Sequence, residues 1–185
     1  TIFLACQEDL TDLLKEVPGI DEVFVLGKNL PSFDYHAPLL NLAGLMGTVP
    51  QNVPIFNSYL NAPDNIYQSK TEGGGLKVGI CWIGRPRHLY DPYQNRSCPV
   101  NSFNLIAQLT GVEIYNLQVE EPVNKDSLAF NLIESKATIL NFQQTADVIS
   151  TLDLVVSVDT AVIHLTGALG KPGIVVLSAN ASSYL

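Results

Sequence analysis

Residues 154–177, LVVSVDTAVIHLTGALGKPGIVVL, leave this chain few folds to choose from, because they read as strand, tight turn, helix, turn and strand. Leu154, Val155, Val156 and Val158 form the apolar, β-branched run of a strand buried on both faces. Asp159 and Thr160 end it, and each reads as an N-cap, since a short side-chain oxygen accepts an orphan N–H at a helix start. Ala161, Ile163, Leu165, Ala168 and Leu169 make the helix apolar almost all round. Gly170 offers a left-handed C-cap and Pro172 prevents continuation. Ile174–Leu177 is the next strand. Two short strands joined by a helix of about ten residues form a βαβ crossover, and therefore a parallel sheet.

In open parallel sheets ligands bind beyond the carboxyl ends of the strands, where a helix N-terminus presents free N–H groups and about half a positive charge. Phosphate fits such a corner. The small residues after Thr160 leave the backbone of Ala161 and Val162 reachable, and His164, one turn on, has the reach to hydrogen-bond a ligand hydroxyl or phosphate. The competing reading makes Asp159 and Thr160 simple caps and His164 a satisfied interface histidine, because many strand-to-helix turns look like this one.

A chain of 185 residues suits one large domain or one and a half small ones. With 46% apolar and 15% charged residues it has a core to bury. A net charge of −8 argues against nucleic acid or an anionic membrane as partner, so any phosphate must be held by local donors. Cys6, Cys81 and Cys98 are too widely and irregularly spaced for a metal site or an even disulfide framework, which makes a reducing cytoplasm the expected home. No apolar run approaches the roughly 18 residues of a membrane span. The chain opens without Met on a strand-like Ile2-Phe3-Leu4-Ala5 and ends soon after a strand, and so reads as a piece of a longer polypeptide.

In order, the sequence predicts a strand over 2–5, a helix over 9–16 with Leu10, Leu13 and Leu14 on one stripe, and a strand over 22–26, with Pro18-Gly19 between helix and strand. Residues 31–48 start as a Pro-rich turn and continue as an apolar helix with Leu39, Leu42, Ala43 and Met46 on one face. Phe33-Asp34-Tyr35-His36 either line a cleft or staple that helix. Residues 49–75, with Pro50, Pro54, Pro63 and Gly73-Gly74-Gly75, read as a crossing, which sets a boundary near 70–76.

The second unit opens with a strand over 77–83. The loop after it holds three of the chain's few arginines, Arg85, Arg87 and Arg96, beside His88 and Asp91, and long loops after parallel strands are usually functional; the alternative is an exposed basic loop. A helix over 100–109, a strand over 112–117 ending at Gln118, a short helix over 128–133, a strand over 138–142 and a helix over 146–152 capped by Thr145 complete the alternation. Strand alternating with helix from 77 to 178 specifies a doubly wound, Rossmann-like α/β domain. No GxGxxG follows any strand, which disfavours a dinucleotide enzyme.

Taken in order, FDYHAPLL (33–40), KVGICWIGRPRH (77–88), NRSCP (95–99), LQ (117–118) and TADVISTLDLVVSVDTAVIHLTGALGKP (145–172) resemble the glycosyltransferase-like region that follows tetratricopeptide repeats in many bacterial proteins. That region is similar to the family 9 lipopolysaccharide heptosyltransferases and, more distantly, to O-linked N-acetylglucosamine transferase. The resemblance implies a GT-B architecture: a partial acceptor-side αβ unit with a linker over 1–72, and a nucleotide-sugar-binding Rossmann-like domain over 73–185. It implies donor binding by Gly84, Arg85, His88, Arg96, Ser97, Gln118, Asp159, Thr160, Ala161 and His164. Helix amides would hold the diphosphate, so that no metal and no cofactor are required. The expected partners are a nucleotide-sugar donor, an acceptor that is a saccharide, lipid or protein, and tetratricopeptide repeats in the same polypeptide. The catalytic base is not identified. Val119-Glu120-Glu121 after Gln118 and the Ala179–Tyr184 ending depart from the family, which keeps a catalytically inactive binding or scaffold module open as the alternative. A GT-B-shaped epimerase is a weaker third.

Overall fold

The computed structural model describes residues 1–61, 74–84, 96–119, 123, 125–134 and 139–178. Two parallel sheets make up the α/β architecture. The smaller pairs β1 (Phe3–Cys6) with β2 (Glu22–Val25); the larger has five strands in the order β5-β4-β3-β6-β7. Its members are β3 (Leu76–Cys81), β4 (Val112–Asn116), β5 (Leu132–Glu134), β6 (Leu154–Val158) and β7 (Gly173–Val176), and every pairing is parallel. From the central β3 the chain winds outward to β4 and β5, then returns to the other side for β6 and β7. The order of strands therefore reverses between β3 and β6.

Both faces of the large sheet are covered, as parallel strands require. On one face α3 (Phe142–Ser150) and α4 (Ala161–Ala168) bury Ala146, Ile149 and Ile163 against Cys81, Leu117 and Val155. On the other, Val78, Ile80 and Trp82 of the β3 region meet Phe103, Ile114 and Val156. Gly79 belongs to the first face, where an added Cβ would come within 2.5 Å of Leu152 Cδ1 and 2.6 Å of Leu117 Cδ1. Only the missing side chain lets those two leucines close over the strand.

The small N-terminal sheet is tied to the large one. A 3₁₀ turn at Glu8–Leu10 and the short helix α1 (Thr11–Leu14) follow β1, and Leu13, 4% exposed, enters the same buried cluster as Ala146 and Ile149, with Leu10 packed beside it. The crossing segment also docks: Tyr59 N–H and Leu60 N–H both donate to Ala168 O, at 2.9 and 3.0 Å. Gly170, at φ +68°, admits this approach, since a Cβ there would lie 2.5 Å from Asn57 O. The expected left-handed exit from α4 is present at that glycine.

Several local expectations give way to tertiary pairing. The helix expected over 9–16 forms only as the 3₁₀ turn and α1, and the strand over 77–83 is β3, ending at Cys81. The stretch expected as a helix over 128–133 forms no helix: it follows a 3₁₀ turn, Lys125–Ser127, and runs into β5, because Leu132 and Ile133 pair with Ile114 and Tyr115 on the open edge of β4. No strand forms over the described part of 138–142; Phe142 already begins α3. The helix expected at 100–109 is a 3₁₀ helix over Val100–Gln108. Over 31–48, α2 (Leu39–Leu45) forms, with no residue of it buried. Phe33 rests edge-on against His36, ring centroids 5.6 Å apart, and all four of Phe33–His36 are exposed. Among the described residues no helix is long and apolar enough to cross a membrane.

Asn141, not Thr145, caps α3. Its side-chain oxygen accepts from Gln144 N–H at 2.9 Å, and Gln144 Oε1 accepts from Leu140 N–H at 2.7 Å, a reciprocal arrangement that satisfies donors on both sides of the helix start. Thr145 lies within the helix and donates to Asn141 O. Asn141→Ala is expected to cost about 1 kcal/mol and to lower the thermal midpoint by about 2–4 °C, read by thermal denaturation.

Candidate functional site

A cavity of about 730 Å³ opens at the carboxyl ends of β3, β4 and β6, the place where the strand order reverses. Ligand sites of doubly wound sheets lie there because strand ends and helix N-termini converge. Cys81, Ile83 and Gly84 come from the end of β3, Leu117, Gln118 and Val119 from the end of β4, and Asp159 from the end of β6. Two helix N-termini face it: Asn141 and Phe142 begin α3, and Thr160, Ala161 and Val162 begin α4. Thr145 of α3, Arg96 and Asp9 complete the polar lining.

Thr160 occupies the N-cap position of α4 in extended backbone (φ −139°, ψ 171°), yet its side chain caps nothing. Its hydroxyl turns inward, 3.1 Å from Ser157 Oγ and 3.8 Å from Cys81 Sγ. Because Ser157 Oγ donates its proton to Val158 O at 2.7 Å, the proton between Ser157 and Thr160 belongs to Thr160, whose hydroxyl is thereby committed to the interior. The expectation that Thr160 caps the helix is corrected on this point. Ile163 N–H and His164 N–H bond to Thr160 O, while Ala161 N–H and Val162 N–H have no partner among the described residues. Two backbone donors at the positive end of a helix dipole are left for a ligand.

Gln118 joins the ends of β3 and β4. Its Oε1 accepts from Ile83 N–H at 3.0 Å and from the Cys81 thiol at 3.4 Å, and its own N–H donates to Asn116 Oδ1 at 2.8 Å. Asn116 Nδ2 in turn donates to Glu134 Oε2 at 2.8 Å, and Lys125 pairs with Glu134 at 2.9 Å. Burial pushes the Glu134 carboxyl upward, but the hydrogen bonds from Lys125 and Asn116, with the Lys125 charge, outweigh it and the net displacement is downward. Burial pushes the Cys81 thiol up, against hydrogen bonds with Thr160, Ser157 and the Ile83 backbone. Cys81 is therefore a neutral thiol at pH 7, suited to donating to Gln118.

Six of the residues expected at the site line the cavity together: Gly84, Arg96, Gln118, Asp159, Thr160 and Ala161. Two others stand one contact behind. Ser97 Oγ accepts from Gly84 N–H at 3.1 Å, and His164, largely exposed, meets Asp159 Oδ1 through Nε2 at 3.2 Å. Arg85 and His88 lie outside the described residues, as do Arg87, Glu120 and Glu121. Cys81, Asn141, Phe142 and Asp9 were not expected in the lining. The first three stand at strand ends or helix starts, which a more even use of the strand-end rule would have reached; Asp9 arrives from the other sheet. Among the described residues no group of three or more His, Cys, Asp or Glu side chains could hold a metal ion.

Fold and cavity together define a Rossmann-like α/β protein with a cavity at the sheet's switch point. The family model of glycosyltransferase family 9 (heptosyltransferase) matches residues 124–181, less than a third of the chain. That match supports sugar transfer as the general activity. The matched segment carries β5, α3, β6, α4 and β7, and hence both helix N-termini that face the cavity. No curated protein and no solved structure gives a match.

Proposed function

We propose that this chain is a glycosyltransferase-type, GT-B-like domain that binds a nucleoside-diphosphate sugar in the cavity between β3, β4 and β6 and passes the sugar to an acceptor. Residues 73–185 form the donor-binding domain in this reading, and residues 1–72 contribute the acceptor side and the linker. The carrying observation is the pair of unbonded amides at Ala161 and Val162, opened to the cavity because Thr160 faces inward. A diphosphate seated there gains charge-assisted hydrogen bonds and the helix dipole, with Arg96 on the same lining as a side-chain cation.

As the bond between the anomeric carbon and the phosphate oxygen breaks, negative charge grows on the leaving diphosphate. Fixed amides and an arginine stabilise that charge without reorganising, so the proposed transfer needs no metal. His164 Nε2, 3.2 Å from Asp159 Oδ1, engages the one carboxylate of α4's N-terminal turn that lines the cavity.

Titration of UDP, GDP and ADP into the intact natural protein by calorimetry tests the donor assignment. One of the three is expected to bind with measurable heat and to raise the thermal midpoint. His164→Ala is expected to weaken that affinity by about fivefold, the loss of roughly 1 kcal/mol from an exposed contact. Absence of both heat and thermal shift with all three nucleotides in folded protein would remove the proposal. Binding without any sugar transfer would instead leave a binding module.

A further inference from the structure

Asn116 is the last residue of β4, and it is buried at the end of the strand that faces the cavity. A buried carboxamide needs partners at both its ends, and here each partner fixes the direction of the group. Asn116 Oδ1 accepts from Gln118 N–H at 2.8 Å, a bond that only the oxygen can make. Asn116 Nδ2 donates to Glu134 Oε2 at 2.8 Å, and an ionised carboxylate only accepts. Glu134 is the last residue of β5 and stands in register with Asn116; its other oxygen meets Lys125 Nζ at 2.9 Å. The neighbouring strand therefore decides which way the Asn116 amide points.

A side-chain oxygen bonded to the N–H two residues on is an Asx turn, which bends the chain directly after the strand. Leu117, between the two, is buried and donates its N–H to Ile80 O at 3.0 Å. The bend then sends the Gln118 side chain across to the end of β3, where its Oε1 accepts from Ile83 N–H at 3.0 Å and from the Cys81 thiol at 3.4 Å. Because Ile83 N–H can meet only the oxygen, the Gln118 carboxamide is also fixed in direction. Its Nε2 has no partner among the described residues, and Gln118 lines the cavity. Two further N–H donors are thus available to a ligand, from the β4 side of a site whose other donors belong to α4 and Arg96. Asn116 and Glu134 do not line the cavity themselves.

We propose that Asn116, oriented by Glu134, is a positioning residue that sets Gln118 across the ends of β3 and β4, so that the Gln118 carboxamide donates to the ligand. The inference rests on the donor-binding reading above, in which the ligand is a nucleoside diphosphate and its oxygens are the acceptors. Glu134 reaches the ligand through two intermediaries, Asn116 and Gln118, and its influence travels along hydrogen bonds whose polarity is set at every link.

That polarity supplies the test, made on the intact natural protein. Asn116→Asp keeps an acceptor for Gln118 N–H but sets a second carboxylate against Glu134, and the repulsion pulls the side chain out of its turn. Adding Glu134→Gln supplies an N–H donor and restores the contact with its direction reversed. In calorimetric titrations with UDP, GDP and ADP, Asn116→Asp is expected to weaken the nucleotide that binds by about 10-fold, the loss of one hydrogen bond to a charged group. The double variant is expected to return to within about threefold of wild type, and Glu134→Gln alone to stay within about twofold. Hydrogen exchange of unliganded protein reads the positioning directly: protection of Ile83 N–H should fall about tenfold in Asn116→Asp and recover in the double variant. The amides of β6, on the far side of β3, should be unchanged. A merely structural role would lower the thermal midpoint and the protection of β6 together, and leave the affinity of the folded protein as it was.

Affinity within about twofold of wild type in folded Asn116→Asp would overturn the assignment, as would unchanged Ile83 protection or a loss that the second substitution does not repair. Should Asn116→Asp fail to fold, Glu134→Ala, at a half-exposed side chain, replaces it. There an affinity loss of about threefold or more supports the assignment and a smaller one overturns it. Failure of every nucleotide to bind wild-type protein counts against the donor-binding reading and against Gln118 as a ligand donor; Ile83 protection then decides alone whether Asn116 positions Gln118.

Discussion

Ala161→Pro is expected to weaken nucleoside-diphosphate binding by about 10- to 100-fold while leaving the fold intact. Residue 161 is the first helical position of α4, where an N–H has no intrahelical partner and proline is well tolerated. The residue before a proline must be extended, and Thr160 already is, at φ −139° and ψ 171°. The substitution therefore deletes one backbone donor and little else. A hydrogen bond to a charged group contributes about 1.5–3 kcal/mol, which at 1.4 kcal/mol per decade gives the stated range. The thermal midpoint of unliganded protein should hold or rise slightly, because proline restricts the unfolded chain. Calorimetry and thermal denaturation on the same preparation read both quantities. Affinity within twofold of wild type would mean that the α4 amide does not meet the ligand. Thr160→Val makes the contrast: its hydroxyl proton is already given to Ser157, so its removal should weaken binding far less than Ala161→Pro does.

The second large effect is on stability. Ile80→Ala is expected to cost about 3 kcal/mol, within the 2–5 kcal/mol range for truncating a buried aliphatic side chain, and to lower the thermal midpoint by about 6–12 °C. Ile80 is 0% exposed, on the central strand, in a cluster with Val78, Trp82, Phe103 and Ile114. β3 is paired on both sides, to β4 and β6, so the backbone cannot collapse into the space left behind. Ile174→Ala on the edge strand β7 is the control, since that side chain is 52% exposed and should cost well under 1 kcal/mol. Equal losses at the two positions would contradict the sheet order.

The β6–α4–β7 unit was legible because everything that specifies it is local: a β-branched run, a stop, an apolar helix and a glycine with positive φ, all within 24 consecutive residues. The same holds for β3 and β4, whose apolar runs are long enough to be read without partners. β5 was misread as helix because three residues carry too little periodicity to separate the two states; its identity rests on pairing with β4. Asn141 was missed as a cap because the strand expected over 138–142 ran through it.

At the site, Gln118, Thr160 and Ala161 come from the rule that strand ends face ligands, and Gly84 from the family resemblance. The direction of the Thr160 hydroxyl did not follow, because it is settled by Cys81, 79 residues away in the chain, and by the proton that Ser157 has already given up. Asp9 was beyond reach for the same reason. Nothing near it marks it for the cavity, and its position depends on Leu13 finding a place in the core beside α3. Short-range pattern and steric preference were enough to specify which elements form and how they alternate. Which polar groups converge on one cavity, and which of them arrive already committed, depends on contacts between distant stretches of chain, which only the folded packing brings within hydrogen-bond range.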